Sequence, residues 1–199
     1  MQPFLFRIID ILISLVGISC GLPILLAIYI AGLFDTGSPL FFQQRLGRNR
    51  KLFTLIKFRT MPINTNSVGT HLVDTTSITK VGNFLRKNKL DELPQLFNVL
   101  FGHMSLVGPR PCLPNQAELV EERNKRGVFK VRPGITGLGQ VNEVDMSTPR
   151  KLARYDQLMI NSMSLKLYIK LIIGTALGKG YGDRVRRQKP SQTAPKTTP

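Results

Sequence analysis

The sequence predicts a compact α/β domain of the α+β type, built from short elements and preceded by a long apolar helix with a proline at its middle. No residue from Ile11 to Phe34 is charged, whereas short strand-like and helix-like patterns alternate from Pro39 onwards. The chain has 199 residues, of which 42% are hydrophobic. That is enough to bury a core of its own.

The charge distribution excludes several classes of protein. The chain has 28 Lys and Arg against 12 Asp and Glu, a net charge of +16, which indicates an anionic partner: nucleic acid, an acidic membrane or a phosphate-bearing substrate. Two cysteines exclude a disulfide scaffold. The absence of tryptophan disfavours binding of single-stranded nucleic acid, which needs aromatic stacking platforms. Since Arg7 and Asp10 cancel, the residues after Phe34 carry the whole excess.

The uncharged run from Ile11 to Phe34 predicts a membrane segment. As a helix it would be about 36 Å long, and a bilayer core is about 30 Å thick. A cleaved signal peptide is disfavoured because the run is too long and no A-x-A site follows it. A core helix is disfavoured because a chain of this size cannot bury such a segment on every side.

The course of this segment through the membrane stays open on the residues alone. Pro23 removes a backbone hydrogen bond and predicts a kink, so the helix either crosses the bilayer or returns to the same face. Gly17 and Gly21 form a GxxxG pattern, which indicates either a homodimer contact or glycines merely tolerated in a membrane helix. The basic residues that follow place the body in the cytoplasm by the positive-inside rule: Arg45, Arg48, Arg50 and Lys51.

The first half of the body predicts a hairpin and two helices. The runs PLFFQQ and LFTLIKF indicate strands around a turn at Gly47 and Asn49. Residues 62–78 are polar and predict a mobile loop. A helix is expected over Thr79–Lys87. A second helix is expected to begin at Asp91 and Glu92, with apolar residues at helical spacing: Leu93, Leu96, Phe97 and Leu100.

The second half predicts three further helices around a glycine-rich turn and strand in KVRPGITGLGQVN. A polar helix spans Ala117–Lys125, and Pro149 and Ser164 mark the starts of the other two. The last helix is amphipathic, which suits a membrane surface and a core-facing role equally. Residues 184–199 predict a disordered basic tail. The expected division is therefore a membrane segment over 1–36, a domain over 37–183 and that tail.

Common catalytic motifs are missing from the sequence. His71 and His103 match no metal-binding spacing, and there is neither a G-x-S-x-G elbow nor a G-x-x-x-x-G-K-[ST] phosphate loop. Cys20 lies in the apolar run and Cys112 between prolines, and neither has the surroundings of an activated thiol. Conventional hydrolase and P-loop functions are therefore excluded.

The adjacent acids Asp91 and Glu92 are the main candidates for chemistry. They lie among cations, and an ionised carboxylate there could attack the phosphorus of a bound phosphate, or the pair could hold a divalent metal. The alternative is that Asp91 caps a helix and Glu92 complements its dipole, and spacing alone favours that interpretation. Arg110 and Arg132 adjoin prolines that restrain their backbones, which suits phosphate binding. Solvent-exposed turn arginines are an equal alternative.

Around these residues the sequence resembles the bacterial sugar transferase family, the small monotopic polyprenyl-phosphate phosphoglycosyl transferases. The matching text runs through most of the chain in order: the apolar helix with its central proline, FFQQRLGRNRKLFTLIKFRTM, ITKVGNFLRKNKLDELPQLFNVL, MSLVGPRP and VRPGITGLGQVN. The resemblance favours the catalytic interpretation of Asp91 over the capping one.

The resemblance implies transfer of a sugar 1-phosphate from a UDP-sugar to a polyprenyl phosphate, usually undecaprenyl phosphate, with Mg²⁺ and release of UMP. Asp91 is then the nucleophile, which forms an aspartyl-phosphosugar intermediate, and Glu92 is its metal- or geometry-controlling partner. The family's basic positions fall on Lys57, Arg59, Arg86 and Arg110. The membrane helix is implied to be re-entrant, kinked at Pro23, in a bacterial inner membrane with the domain in the cytoplasm.

The sequence departs from the family pattern near two of these features. Leu22 precedes the proline where serine is common, and His103 stands where an acid is frequent. A second hypothesis of another class is a non-catalytic, membrane-tethered basic module that binds anionic lipid or nucleic acid. The adjacent acids argue against it, because an anion-binding surface has no use for them. We therefore expect a membrane enzyme of glycan assembly and no nucleic-acid partner.

Overall fold

The computed structural model describes residues 4–65 and 77–180. Most of the predicted loop, His71 and the predicted tail therefore lie outside the described residues. The described elements are, in order, α1 (Phe4–Asp35), β1 (Leu40–Leu46), β2 (Leu52–Phe58), α2 (Lys80–Lys87), α3 (Gln95–Leu100), β3 (Ser105–Val107), α4 (Ala117–Lys125), β4 (Gly134–Thr136), α5 (Leu138–Val141), α6 (Pro149–Asn161) and α7 (Leu165–Ala176).

The predicted mixture of helix and sheet is confirmed, in the form of two small sheets. Strands β1 and β2 pair antiparallel, with Leu40 opposite Phe58, across a turn in which Asn49 and Arg50 adopt left-handed conformations. Strands β3 and β4 pair in parallel. A Cβ atom at Gly134 would overlap the backbone of Gly108, so glycine is required where these two segments meet. The main core lies between these sheets and helices α3, α6 and α7.

Most predicted helices are present, with two differences. The Thr79 hydroxyl accepts a hydrogen bond from the Gly82 amide at 2.9 Å and begins α2, as expected. The next α-helix begins at Gln95 rather than at Asp91, because the chain first makes a short 3₁₀ turn over Leu90–Glu92. The segment Leu138–Val141, predicted as turn and strand, contains the short helix α5.

Helix α7 turns one stripe towards the core and leaves another exposed. Tyr168 and Leu171 are buried, whereas Leu165 and Ile173 are exposed. Of the two predicted roles of this helix, the core-facing one is therefore confirmed for Tyr168 and Leu171. The Ser164 hydroxyl accepts a hydrogen bond from the Leu167 amide at 3.2 Å, which fixes the start of the helix as predicted.

Helix α1 touches the body along one narrow stripe and is exposed elsewhere. The buried residues follow helical spacing: Phe6, Asp10, Ser14, Leu25, Ile28 and Gly32. Only 11% of its most apolar window is buried, and its mean hydropathy of 2.6 makes it long and apolar enough to cross a membrane. A soluble core helix would be covered on all sides, so the exposed apolar face fits the predicted membrane segment.

Both ends of α1 are attached to the same body. At the start, the Arg7 guanidinium donates to the carbonyls of Val99 and Leu100, at 2.6 and 2.8 Å, and so satisfies the end of α3. At the other end, the Asp35 carboxylate accepts a hydrogen bond from the Thr79 hydroxyl at 2.6 Å. Leu25 and Ile28 also lie in one apolar cluster with residues of β2 and α2.

The middle of α1 contains the features that the sequence singled out. Pro23 lies inside the helix, where it cannot donate a hydrogen bond to the preceding turn. Gly17 faces the body, since a Cβ atom there would lie 3.1 Å from Leu96 Cδ1, whereas a Cβ at Gly21 would meet nothing within 4 Å. The two glycines therefore have different surroundings within one chain, and the homodimer stays a prediction.

The buried carboxylate of Asp10 is a connection that the sequence did not reveal. Its Oδ1 accepts a hydrogen bond from the Leu106 amide at 2.8 Å, one from the Ser105 hydroxyl at 3.2 Å and one from the Tyr168 hydroxyl. The Phe6 ring stacks on Tyr168 at 4.6 Å. Burial and the nearby carboxylate raise the pKa of Tyr168, so its hydroxyl keeps the proton that it donates.

We expect Asp10→Leu to destabilise the protein in detergent by about 1–3 kcal/mol, because buried donors lose their acceptor. The change keeps the side-chain size similar and is measured by thermal unfolding. Asp10→Asn, which keeps an acceptor oxygen, is the matched control and should cost less. An Asp10→Leu variant as stable as the wild type would contradict this role.

Candidate active site

The acid pair lies in the 3₁₀ turn between α2 and α3 and is buried. Asp91 is 1% exposed and Glu92 is 7% exposed. Lys89, in the left-handed conformation with φ of 59°, ends the preceding helix and turns the chain into this segment. Pro94, not Asp91, occupies the N-cap position of α3. The capping interpretation of Asp91 is therefore wrong, because the helix begins four residues later.

Arg110 approaches the acid pair from the loop that follows β3. Its Nη2 lies 2.9 Å from Glu92 Oε1, and the two side chains are 21% and 8% exposed. A partly buried, charge-assisted contact of this kind is stronger than a surface ion pair. The structure thus brings together Glu92 and Arg110, which are far apart in sequence, beside Asp91.

The backbone around Arg110 is bonded at four consecutive carbonyl groups. The Pro109 carbonyl accepts from the Gly134 amide at 2.9 Å, and the Arg110 carbonyl accepts from Arg123 Nη1 at 2.8 Å. Two further donors, Arg45 Nη1 and the Leu46 amide, reach the carbonyls of Pro111 and Cys112, each at 3.0 Å. This loop is consequently held from β1, α4 and β4 at once.

Arg123, one of these donors, forms a buried ion pair with Asp156. Arg123 and Asp156 are 1% and 0% exposed, and Arg123 Nη2 lies 2.7 Å from Asp156 Oδ2. Burial opposes the charge on Arg123, but attraction to the Asp156 carboxylate outweighs it and raises the pKa of the guanidinium. The pair joins α4 to α6. Sequence reasoning missed it, because a charged residue in a polar helix carries no signal of burial.

Arg86 lies at the end of α2 and is buried. Its Nε donates to the Thr60 hydroxyl at 2.8 Å, and the Thr60 carbonyl accepts from the Thr79 amide at 3.1 Å. The KFRT segment is thereby joined to α2, which packs against the turn that carries Asp91. The contact of Arg86 with phosphate stays a prediction.

Lys57 and Arg59 lie around the aromatic ring of Phe41. Each cation is 5.4 Å from the ring centroid. The Arg59 guanidinium also donates to the carbonyls of Ser38 and Leu40, at 2.9 and 3.2 Å. Arg59 therefore fixes the connection between α1 and β1, and its contact with phosphate stays a prediction.

Arg132 lies at the opposite end of α3 from the acid pair. Its Nε donates to the Gly102 carbonyl at 2.9 Å, close to the carbonyls bound by Arg7. Burial, with Arg48 and Arg7 nearby, lowers the pKa of Arg132. The Arg132 guanidinium therefore contacts the backbone just after α3, and its contact with phosphate stays a prediction. The exposed His103 ring stacks against Phe53 at 6.0 Å.

Comparison with known proteins shows the family to which the sequence is similar. The sequence profile described as bacterial sugar transferase matches residues 1–179. An uncharacterized sugar transferase of Haemophilus influenzae is 42% identical over 162 residues, covering 71% of this chain and 34% of that protein. The uncharacterized sugar transferase EpsL of Bacillus subtilis is 39% identical over 167 residues, covering 83% of this chain and 82% of EpsL.

The name of a further relative states an activity. The UDP-glucose:undecaprenyl-phosphate glucose-1-phosphate transferase of Klebsiella pneumoniae is 40% identical over 187 residues, covering 88% of this chain. The chain spans 40% of that protein's length and only 34% of the Haemophilus protein. The family match nevertheless extends over the apolar helix α1, the acid pair and the Arg110 loop together. This chain belongs to the bacterial sugar transferase family.

Proposed function

We propose that this protein transfers a sugar 1-phosphate from a UDP-sugar to a polyprenyl phosphate such as undecaprenyl phosphate, with release of UMP. The reaction would begin the membrane assembly of a glycan. The buried acid pair with Arg110 bonded to Glu92 is the observation that carries the proposal. The activity of the Klebsiella relative supports the same class of substrates.

Asp91 is the proposed nucleophile. A carboxylate oxygen attacks the sugar-proximal phosphorus of the UDP-sugar, the bond from that phosphorus to the bridging oxygen breaks, and UMP leaves with the bridging oxygen. An oxygen of the lipid phosphate then attacks the same phosphorus and releases the Asp91 carboxylate. Because Asp91 is 1% exposed, substrate binding must open a path to it. The same burial would protect the acyl phosphate from hydrolysis.

The surrounding cations are proposed to hold phosphate groups during this exchange. Arg110 is well suited, because its backbone is fixed at four carbonyl groups while its guanidinium already binds a carboxylate oxygen. A guanidinium that binds a carboxylate can also bind a phosphate in bidentate fashion. Arg86, in the last turn of α2, is proposed as a second phosphate-binding cation. Fixed donors of this kind stabilise charge as it develops on transferred phosphate oxygens.

The donor set fits a Mg²⁺ ion that binds together with the substrate. Among the described residues there is no group of three His, Cys, Asp or Glu side chains that could hold a metal alone. Mg²⁺ is commonly held by one or two carboxylates and completes its shell with water and substrate phosphates. Asp91 and Glu92 would supply the carboxylates. When bound, the ion would neutralise charge on the diphosphate.

We further propose that α1 is re-entrant and that the body faces the cytoplasm at the bacterial inner membrane. A helix that crosses a hydrocarbon core of about 30 Å has its two ends on opposite sides. Arg7 and Asp35, near the two ends of α1, both form hydrogen bonds with the same body. Pro23 between them supplies the weak point at which the helix can bend.

Cysteine labelling tests this topology in intact cells. In a Cys20→Ser background, we expect Gln2→Cys to be protected from a membrane-impermeant maleimide until the inner membrane is permeabilised. A cysteine at exposed Lys125, in the body, is the matched control and should behave in the same way. Labelling of Gln2→Cys from the periplasm, with Lys125→Cys still protected, would contradict the re-entrant helix.

The reaction itself is tested with purified protein, Mg²⁺, a panel of UDP-sugars and polyprenyl phosphate. We expect UMP release and a lipid-linked sugar phosphate with at least one UDP-sugar, which also identifies the sugar. Salt-sensitive binding to anionic vesicles without UMP release from any UDP-sugar would contradict the proposal and favour a non-catalytic lipid-binding module.

A further inference from the structure

A cleft of about 660 Å³ lies between α3 and α7, next to the acid pair. Pockets for small molecules commonly measure about 300–1,000 Å³. The walls of the cleft are mainly apolar, with side chains from α3, from the parallel strands and from α7: Leu93, Leu96, Leu106, Ile135, Ile172 and Ala176. A space of this size and character suits a hydrocarbon chain.

One wall residue of the cleft packs against the apolar helix α1, and another belongs to the acid pair. Glu92 lines the cleft, immediately after Asp91 in the chain. Leu96 lies in its wall and also packs against Gly17, within the apolar run of α1. An apolar chain in the cleft would therefore run from the region of the membrane helix towards the proposed nucleophile.

Among the described residues that line the cleft, the positively charged ones are Lys87 and Lys89, beside Glu92 in the chain. The rest of the lining is mainly hydrocarbon, with the Asn88 amide and threonine hydroxyl groups. Lys89 Nζ donates to the Lys179 carbonyl at 2.6 Å, which joins the turn before the acid pair to the end of α7. The charge distribution thus matches a ligand with an anionic head and an apolar tail.

The UDP-sugar is a poor occupant for the same space. Its hydroxyl groups and uracil need hydrogen-bond partners, and burial of such groups against leucine and isoleucine side chains is unfavourable. The polyprenyl phosphate has the complementary character at both ends. We propose that this cleft binds the isoprene units closest to the phosphate of the polyprenyl-phosphate acceptor, an inference that rests on the proposed function.

The matched variants Ala176→Trp and Ile173→Trp test the inference. Both positions are exposed on α7, but Ala176 lines the cleft and Ile173 does not. We expect Ala176→Trp to raise the KM for polyprenyl phosphate at least tenfold, about 1.4 kcal/mol. The KM for UDP-sugar should stay unchanged, and Ile173→Trp should resemble the wild type. Ala176→Leu should give an intermediate effect.

The outcomes separate this inference from the proposed function. If the wild type transfers sugar phosphate and Ala176→Trp leaves the KM for polyprenyl phosphate unchanged, the cleft assignment is wrong and the function stands. If Ala176→Trp alters only binding to phospholipid vesicles, the cleft holds membrane lipid and the assignment is again wrong. If the wild type itself releases no UMP, the proposed function is wrong, and the cleft assignment that rests on it is wrong as well.

Discussion

Asp91→Asn should lower the rate of UMP release by at least about 10³-fold, because loss of a nucleophile removes the covalent route. Asparagine has nearly the same shape but is not a nucleophile for phosphorus. Intact-protein mass spectrometry with UDP-sugar and without lipid gives the direct measurement. The wild type should gain the mass of a sugar phosphate, and the variant should not.

The control for this experiment is a second acid in a different setting. Glu121 is 66% exposed and pairs with Lys125 on α4. Glu121→Gln should therefore keep wild-type activity and form the same adduct. Thermal unfolding checks that Asp91→Asn is folded. A folded Asp91→Asn variant with undiminished turnover would remove Asp91 from the nucleophile role.

Asp156→Leu should cost about 3–5 kcal/mol of stability, because it leaves the Arg123 guanidinium buried without a counter-charge. The free energy of unfolding of a domain is commonly only about 5–15 kcal/mol, so this loss would be a large fraction of the total stability. Thermal unfolding in detergent measures the loss. Glu121→Gln again serves as the control, since an exposed ion pair contributes about 0–1 kcal/mol. A Tm for Asp156→Leu equal to that of the wild type would contradict the buried pair.

A double variant separates stability from the positioning of Arg110. Replacing both partners, Arg123→Met with Asp156→Leu, should restore most of the lost stability, because no buried charge remains. The Arg110 carbonyl would still lack the donor that Arg123 supplies. We therefore expect kcat to fall about tenfold, roughly 1.4 kcal/mol, with an unchanged KM for polyprenyl phosphate. Wild-type kcat in a stable double variant would show that Arg123 acts on stability alone.

Local patterns in the sequence predict much of the fold. The hairpin, the start of α2 at Thr79 and the start of α7 at Ser164 depend on residues within a few positions of each other, so they are visible without tertiary contacts. The predicted helix start at Asp91 is wrong because Lys89 adopts a left-handed conformation and directs the acids into a 3₁₀ turn. No local sequence rule predicts a left-handed conformation for a lysine.

The candidate site also combines features that the sequence indicates with contacts that only the tertiary structure shows. The resemblance selects Asp91, Glu92, Arg86 and Arg110, and the structure brings Glu92 and Arg110 within 2.9 Å. The adjacent proline, and not the resemblance, suggested Arg132, whose guanidinium binds a carbonyl just after α3; its contact with phosphate stays a prediction. A proline beside an arginine restrains the backbone but does not determine which end of a helix the side chain reaches.

By itself the sequence determined that an apolar helix precedes a strongly basic body, and that two adjacent acids lie within that body. Those are properties of composition and order, and packing does not alter them. Only the tertiary structure revealed that Asp10 attaches the apolar helix to β3 and α7, and that Arg123 with Asp156 holds the Arg110 loop. These are contacts between residues far apart in the chain, and burial gives them their strength. The net charge of +16 therefore includes arginines, such as Arg123 and Arg45, that are buried in the frame of the site.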